Sequence, residues 1–224
     1  MNENELKNEL AREYAARFAG TDEYRRSVWR VLVSDFFQPM IGKDAVVLDL
    51  GCGWGEFINQ IQATKRVGMD LNPETRARLD HGVEFLEQDC AKTWALPDGV
   101  LDVVFTSNFL EHLRCKDDLR ATLAEARRCL KPGGRIICVG PNIKYLPGHY
   151  WDFWDHYVPL TELAMTEVLR LQGFRVDRCV GRFLPYRMSG QRTWPMWVIR
   201  AFLRVPWLWW LVGRQFLVVA SVSR

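Results

Sequence analysis

A chain of 224 residues with 48% hydrophobic and 25% charged residues can bury one core, and its composition excludes a disordered or low-complexity protein. The formal net charge of +3 is too small to indicate nucleic acid by itself, and DNA is not among the partners that we expect. The six cysteines include no CxxC pair, and no charged segment followed by an apolar run opens the chain. We therefore expect a reduced, cytoplasmic protein.

Helical and strand patterns alternate along most of the chain. Apolar residues recur at helical spacing over 3–37 with a break at 20–22, which predicts two N-terminal helices. Short apolar or β-branched runs predict strands over 46–50, 66–70, 84–86, 101–106, 135–139, 174–180 and 215–221, and helical periods predict helices over 116–130 and 161–171. The Lys-Pro-Gly-Gly run at 131–134 predicts a turn into the fifth strand. The alternation predicts an α/β fold with a doubly wound, seven-stranded, mostly parallel sheet, in which ligands lie beyond the carboxyl ends of the strands.

Alternating glycines follow the first predicted strand. Gly51, Cys52, Gly53 and Gly55 allow the backbone to turn tightly and to approach a ligand closely. A dinucleotide fold expects its third glycine at position 56, but Glu56 stands there, and an acid disfavours a pyrophosphate. An anionic ligand is therefore not expected at this turn.

Acidic residues mark the ends of the first three predicted strands. Asp70, nineteen positions after Gly51, can accept both hydroxyls of a ribose, and Asp89 is placed to receive the exocyclic amine of an adenine. Asp49 and Glu56 suit a nearby cation, such as a sulfonium or an amino group. The pattern indicates a nucleoside ligand without phosphates, although aspartates at strand ends also commonly cap helices.

Five stretches resemble the motifs of class I S-adenosylmethionine-dependent methyltransferases. They are "VVLDLGCGWGEF" (46–57), "GMDLNP" (68–73), "EQDC" (87–90), "LDVVFTSNFLEHL" (101–113) and "LKPGGRIICVGPN" (130–142). They cover about 43–142 in the order and spacing of that family. The resemblance implies methyl transfer as the activity and S-adenosylmethionine as the cofactor.

The resemblance also implies a set of cofactor-binding residues. They are Asp49, Gly51, Cys52, Gly53, Gly55, Asp70, Leu71, Asp89, Cys90 and Asn108. In this family, Asp49 and the glycine turn would hold the methionine end, Asp70 the ribose, and Asp89 with Cys90 the adenine. Asn108 would lie beside the sulfonium. Arg26, on the helix before the core, is a candidate for the cofactor carboxylate, with a solvated surface arginine as the plainer interpretation.

We expect one methyltransferase domain over 1–224 with four parts. These are N-terminal helices (1–42), a cofactor-binding core (43–142), an acceptor loop (143–160) and an apolar cap rich in arginine and tryptophan (182–214). The acceptor loop carries five candidate walls of an acceptor pocket: Tyr145, His149, Trp151, Trp154 and His156. The alternative is a packed aromatic lid that does not touch the substrate.

His112 is the predicted catalytic base. Methyl transfer from a sulfonium is an in-line displacement, so positioning supplies much of the acceleration, but a hydroxyl acceptor must also lose its proton. Histidine, with an ordinary pKa of about 6.5, suits this task at neutral pH. The alternative role is a structural cap of the following helix. The segment 107–113 lacks the Pro-Pro-aromatic signature of amino-methylating enzymes, so we expect O-methylation of a sugar, a lipid-linked glycan or another small metabolite.

The same segment also resembles the ExxEH motif of metal-dependent O-methyltransferases. Glu111, His112 and His156 would be the ligands of a divalent ion, but Asn108 replaces the first glutamate and leaves the set incomplete. We therefore predict no metal. Metal-assisted 2′-O-methylation of RNA and a non-catalytic S-adenosylmethionine-binding module remain the alternative functions.

A skewed segment separates the last two predicted strands. Over 175–214 there are eight arginines, one acid and five of the ten tryptophans. Tryptophan flanked by arginine is typical of interfacial segments, whereas the nine uncharged residues between Arg204 and Arg214 fall short of the roughly 20 that cross a bilayer. The pattern predicts membrane-surface contact through 194–214 at the inner face of the membrane. The alternative is that this segment packs on the sheet or against a second subunit in a homodimer. Binding of single-stranded RNA is the third interpretation.

Overall fold

The computed structural model describes Gly20, residues 22–186 and residues 193–223. The first of the two predicted N-terminal helices lies outside these residues, as does part of the cap. Among the helices that are described, none combines the length and the apolar character that crossing a membrane requires.

Seven strands form one mixed sheet. They are β1 (Val46–Leu50), β2 (Lys65–Asp70), β3 (Val83–Glu87), β4 (Leu101–Ser107), β5 (Leu130–Pro141), β6 (Phe174–Val180) and β7 (Gln215–Val222). Their order is β3-β2-β1-β4-β5-β7-β6. The first five strands run parallel, and β7 is antiparallel to both of its neighbours. The doubly wound sheet is therefore confirmed, and its connections reverse direction between β1 and β4, where a crevice opens beyond the strand ends.

Five α-helices occur in the described part of the chain. They are α1 (Asp22–Leu32), α2 (Lys116–Cys129), α3 (Glu162–Leu171), α4 (Met196–Arg204) and α5 (Pro206–Val212). α1 continues into a π-helical segment, Val33–Phe37. The Thr161 hydroxyl accepts a hydrogen bond from the Ala164 N–H and caps α3. The predicted helices over 116–130 and 161–171 are thus confirmed to within a residue.

The predicted turn at 131–134 is wrong. The chain passes from α2 directly into β5, because Leu130 already pairs with Leu101. The next pair joins Val103 to Arg135, so the four residues between Leu130 and Arg135 bulge out of the ladder. The proline and glycines therefore shape an irregularity within the strand.

Apolar side chains cover both faces of the sheet, which explains why the parallel strands read as nearly continuous apolar runs. On one face, Leu48 belongs to a core shared with α2 and α3. On the other face, Val47 and Phe105 join a core that includes residues of α1 and α4. The Phe57 ring stacks on Phe105 with 3.7 Å between the ring centroids. This second core connects α1 to the end of β1, where the glycine turn begins.

The described part of the cap packs onto the second core. Ile199, Leu203 and Trp209 are buried in it, and the Trp209 ring lies 5.0 Å from the Phe183 ring. Burying side chains of this kind stabilises a fold by about 1.5–3 kcal/mol each. Packing on the sheet, one of the alternatives for this segment, thus accounts for the inward side of the cap.

Candidate active site

The glycine turn lies at the carboxyl end of β1, as predicted. Gly51 has a φ of +71°, a conformation that side chains disfavour. A Cβ built on Gly51 would also lie 2.1 Å from Cγ of Phe109. The Phe109 ring, which follows β4, therefore covers the turn. Residue 51 must be glycine both for its backbone angle and for this contact.

Two acidic side chains converge on the turn. Asp49, near the end of β1, is buried. Asp70 accepts the Gly53 N–H through Oδ2 and the Asn72 N–H through Oδ1, each at 2.8 Å. These bonds hold the Asp70 carboxylate against the backbone of the turn.

Burial raises the pKa of both carboxyl groups. For Asp49, the negative charges of Glu56 and Asp70 raise the pKa further. For Asp70, backbone hydrogen bonds and the charge of His112 lower the pKa but do not cancel the effect of burial. The concentration of carboxylates in a partly dry crevice favours a cationic ligand over an anionic one.

Glu56 has a cationic partner inside the protein. Its Oε1 lies 2.6 Å from a guanidinium nitrogen of Arg25 on α1, and both side chains are largely buried. Burial raises the pKa of Glu56, while Arg25 lowers it. Arg26, the predicted candidate, is exposed, so α1 contacts the turn through the neighbouring arginine. Reading the sequence could not separate the two, because they are adjacent on one helix.

The predicted adenine residues lie beyond β3. Asp89 Oδ1 accepts the Ala91 N–H at 3.0 Å, so the carboxylate does cap a local turn, and part of it stays exposed. The Cys90 thiol is buried, and burial raises its pKa to about 12. The Cys90 carbonyl accepts a hydrogen bond from the Trp94 indole. The group that Cys90 can offer to a ligand is therefore mainly its backbone N–H. Leu71, another predicted cofactor-binding residue, directly follows Asp70 and is partly buried.

His112 and Asp155 form a hydrogen-bonded pair beyond the end of β4. His112 Nδ1 lies 3.1 Å from Asp155 Oδ2 and 3.0 Å from the Asp155 carbonyl oxygen. Because both oxygens accept hydrogen bonds at neutral pH, Nδ1 carries the proton and Nε2 is left as the basic nitrogen. Burial lowers the pKa of His112, but Asp155 and the charge of Glu111 outweigh this and raise it above its ordinary value.

The acceptor loop delivers Asp155 to this position. The Tyr157 and Val158 N–H groups donate to the Glu111 carbonyl at 2.9 and 3.0 Å, which ties the loop to the turn that carries His112. Sequence reasoning missed Asp155. The only available signal was that an acid immediately precedes the predicted His156.

Three predicted metal candidates also come together. One ligand atom from each of Glu111, His112 and His156 lies within 4.8 Å of the others. Asn108, at the first position of the motif, has a φ of +50° and is exposed, and its amide donates to the Ser107 hydroxyl at 3.1 Å. The described residues thus provide three of the four ligands that the motif would supply.

The acceptor loop is only partly turned inward. His156 is buried, with its ring centroid 4.8 Å from the Tyr150 ring and 5.0 Å from the Phe153 ring. Of the other candidate walls, His149, Trp151 and Trp154 are exposed. The inner wall of the loop therefore includes two aromatic residues that the sequence did not single out.

Comparisons with known proteins agree with this architecture. Residues 48–138 match the family model described as a methyltransferase domain. The chain is 26% identical over 144 residues to the probable methyltransferase ltbC of Aspergillus luteorubrus, which covers 57% of this chain and 50% of that protein. The chain spans half or less of the length of this relative and of two other curated relatives that it matches.

Two solved structures share the fold over nearly their whole length. The S-adenosylmethionine-dependent methyltransferase from Archaeoglobus fulgidus superposes with a TM-score of 0.67 at 22% identity, covering 92% of this chain and 99% of that one. A putative methyltransferase in complex with the Haloferax volcanii Trm112 activator superposes with a TM-score of 0.67 at 19% identity, covering 95% and 98%. The chain thus has the fold of the class I S-adenosylmethionine-dependent methyltransferases, and its residues 48–138 match a methyltransferase domain. This match and the fold imply S-adenosylmethionine as the cofactor.

Proposed function

We propose that this protein transfers a methyl group from S-adenosylmethionine to a hydroxyl of a sugar, a lipid-linked glycan or another small metabolite. The observation that carries the proposal is the hydrogen-bonded His112–Asp155 pair, and the charge of His112 lowers the pKa of Asp70 at the glycine turn. A hydroxyl acceptor needs a base, and this pair supplies one beside the expected cofactor site.

The residues at the glycine turn fit S-adenosylmethionine. The proposed cation-binding group is Asp49, which is buried and lies close enough to Glu56 and Asp70 for their negative charges to raise its pKa further. The proposed ribose ligand is Asp70, which the backbone of the turn already orients. Asp89 is partly exposed at the proposed adenine end. When bound, the cofactor supplies an activated methyl group on a sulfonium.

The chain's own contribution to the reaction is to position and deprotonate the acceptor. His112 Nε2 would accept the proton of the acceptor hydroxyl while the hydroxyl oxygen takes the methyl group that the sulfonium would release, leaving a neutral thioether. Asp155 holds the imidazole in the required tautomer and stabilises the imidazolium that results. The acceptor loop is tied through its backbone to Glu111, which keeps Asp155 beside His112.

Replacement of His112 by asparagine tests this function. Purified wild-type and His112→Asn protein would be incubated with methyl-labelled cofactor and a panel of glycans and hydroxylated metabolites. We expect incorporation by the wild type, a loss of about 10²–10⁴-fold in the variant, and unchanged cofactor binding by calorimetry. Equal turnover by the variant would show that His112 is structural. Cofactor binding without turnover on any acceptor would favour the non-catalytic binding module.

The cluster of Glu111, His112 and His156 supports a second candidate, metal-assisted 2′-O-methylation of RNA. In this alternative the Asp155 carboxylate would orient a ligating imidazole, an arrangement that is common around protein-bound metals. A divalent ion there would polarise the hydroxyl and lower its pKa. Exhaustive treatment with chelator followed by addition of Mg²⁺ or Mn²⁺ separates the two candidates. Activity that survives chelator supports the histidine base alone, and activity that returns only with metal supports the second candidate.

A further inference from the structure

α5 presents an apolar face to solvent. Trp207 and Trp210 have relative exposures of 66% and 68%, and Leu211, at the next position, is 50% exposed. These positions are spaced i, i+3 and i+4 and therefore share one side of the helix. Trp209, on the opposite side, is buried. The helix thus has one side packed on the protein and another side that carries large apolar groups without covering.

α4 shows the same division. Its Ile199 and Leu203 are buried, while Trp197 is 71% exposed. Arg200 and Arg204 follow Trp197 at helical spacing and are also exposed. We call the set formed by Trp197, Arg200 and Arg204 of α4 with Trp207, Trp210 and Leu211 of α5 the cap face.

The charge of this region is one-sided. The sequence from 178 to 214 contains no aspartate or glutamate. Among the residues that the structure describes, Asp35 lies within ion-pair range, 3.6 Å from Arg200 and 3.8 Å from Arg204, and both guanidinium groups stay mostly exposed. Two exposed arginines that share a single carboxylate, next to exposed tryptophans, match the headgroup region of a bilayer that carries anionic lipid.

The cap face borders the acceptor loop. The Arg182 guanidinium lies 5.6 Å from the Trp210 ring and 4.8 Å from the Tyr145 ring. Arg214, just beyond α5, donates a hydrogen bond to the Tyr145 carbonyl. Tyr145 belongs to the turn that opens the acceptor loop, and β5 and β7 pair at this end through Pro141 and Gln215. A surface that binds the cap face would therefore lie beside the acceptor loop, which leads to His112.

We propose that the cap face binds the surface of a bilayer that contains anionic lipids, with the tryptophans at headgroup depth and the arginines on lipid phosphates. Docking in this way would bring the acceptor loop against the membrane, where a lipid-linked acceptor would be presented to the site. This second consequence rests on the proposed function, whereas the lipid binding itself does not.

Vesicle co-sedimentation of the full chain tests the proposal. The probes are phosphatidylcholine vesicles with and without phosphatidylglycerol. We expect the wild type to sediment with the anionic vesicles and to be released as ionic strength rises. The double variant Trp207→Ser/Trp210→Ser should lose about tenfold or more in partitioning. The matched control is Leu163→Ser/Leu171→Ser, which removes apolar side chains of α3 with exposures of 60% and 67%. It should sediment like the wild type.

Circular dichroism and thermal melting establish that both double variants are folded. Wild-type protein that stays in the supernatant with anionic vesicles overturns the proposal, and so does equal sedimentation of the tryptophan variant. Light scattering adds a further decisive outcome. A wild-type dimer that the tryptophan variant converts to a monomer, without any vesicle binding, would make the cap face a contact between two copies of this chain.

Methyl transfer to a soluble acceptor separates this inference from the proposed function. Trp207 and Trp210 do not touch the glycine turn or the His112–Asp155 pair, so the tryptophan variant should keep its turnover on such an acceptor. If the protein does not bind lipid but methylates a soluble acceptor, only the inference about the cap face is wrong. If the protein binds anionic vesicles but methylates no acceptor, only the proposed function is wrong.

Discussion

Replacement of Asp155 by asparagine probes the proposed base most sharply. The amide oxygen of the new side chain can still accept a hydrogen bond from His112 Nδ1, but the substitution removes the charge 3.1 Å from that nitrogen. A hydrogen bond between charged groups contributes about 1.5–3 kcal/mol, and both side chains are mostly buried, so little of this is screened. The imidazolium that forms during the reaction loses this stabilisation, and kcat should fall about 10–100-fold.

The pH dependence gives a second readout with a definite sign. In the folded protein, burial lowers the pKa of His112, but Asp155 and Glu111 raise it by more, so the neutral base forms at a higher pH than in an ordinary histidine. The acidic limb of kcat/KM should therefore lie above about pH 6.5 in the wild type and move to lower pH in Asp155→Asn. The same raised pKa contributes stability below about pH 6.5, and that contribution is lost as pH rises through the folded value.

Asp152→Asn is the matched control, because Asp152 pairs with His149 Nδ1 at 3.0 Å in the same loop but at the protein surface. This variant should leave the acidic limb where it is. The assay is a steady-state pH profile of the wild type and both variants with one accepted substrate. An acidic limb that stays in place in Asp155→Asn, or that moves equally in Asp152→Asn, would refute the assignment of His112 as a base held by Asp155.

Two further substitutions test the crevice itself. Gly51→Ala should abolish cofactor binding and lower the melting temperature more than the control Gly99→Ala does. Both glycines have positive φ, but of these two positions only at Gly51 would a Cβ meet another side chain, that of Phe109. Equal melting temperatures of the two variants would contradict this. Asp49→Asn should stabilise the ligand-free protein at pH 7 but not below about pH 4. The raised pKa of Asp49 in the folded protein provides stability at low pH, and this stability is lost as the pH rises through that pKa. Each kcal/mol of folding stability that the variant regains at pH 7 should raise the melting temperature by roughly 2–4 °C. The same variant should bind S-adenosylmethionine more weakly by calorimetry, and undiminished binding would exclude Asp49 as the group that favours the cation.

The parts of the site that sequence reasoning predicted lie at the ends of strands. A glycine turn after β1 and an aspartate ending β2 follow from local patterns, and parallel strands bring their carboxyl ends to one edge. The fold therefore places Gly51 and Asp70 at the same edge of the sheet, where the sequence patterns predicted them. The meeting of His112 with His156 was predicted from motif resemblance, and the structure does bring the two rings together, with centroids 4.9 Å apart.

The residues that sequence reasoning missed act through contacts between distant segments. Asp155 reaches His112 because the loop pairs with the Glu111 carbonyl, and no periodicity encodes that bond. Arg25 reaches Glu56 because α1 packs on the second core beside the glycine turn. Phe109 covers the turn because of the local backbone after β4. In each case the residue type was visible in the sequence, but the partner was set by tertiary packing.

Calorimetric titration with S-adenosylmethionine tests the central claim most directly, namely that an adenosyl cation binds at the glycine turn beside Asp70. We predict saturable heat with S-adenosylmethionine and with S-adenosylhomocysteine, none with NADH, and affinity about 10–100-fold weaker in Asp70→Asn, which loses hydrogen bonds to the ribose worth about 1.5–3 kcal/mol. Thermal melting confirms that the variant is folded. Unchanged affinity in Asp70→Asn, or tight binding of NADH without any heat from S-adenosylmethionine, would contradict the account.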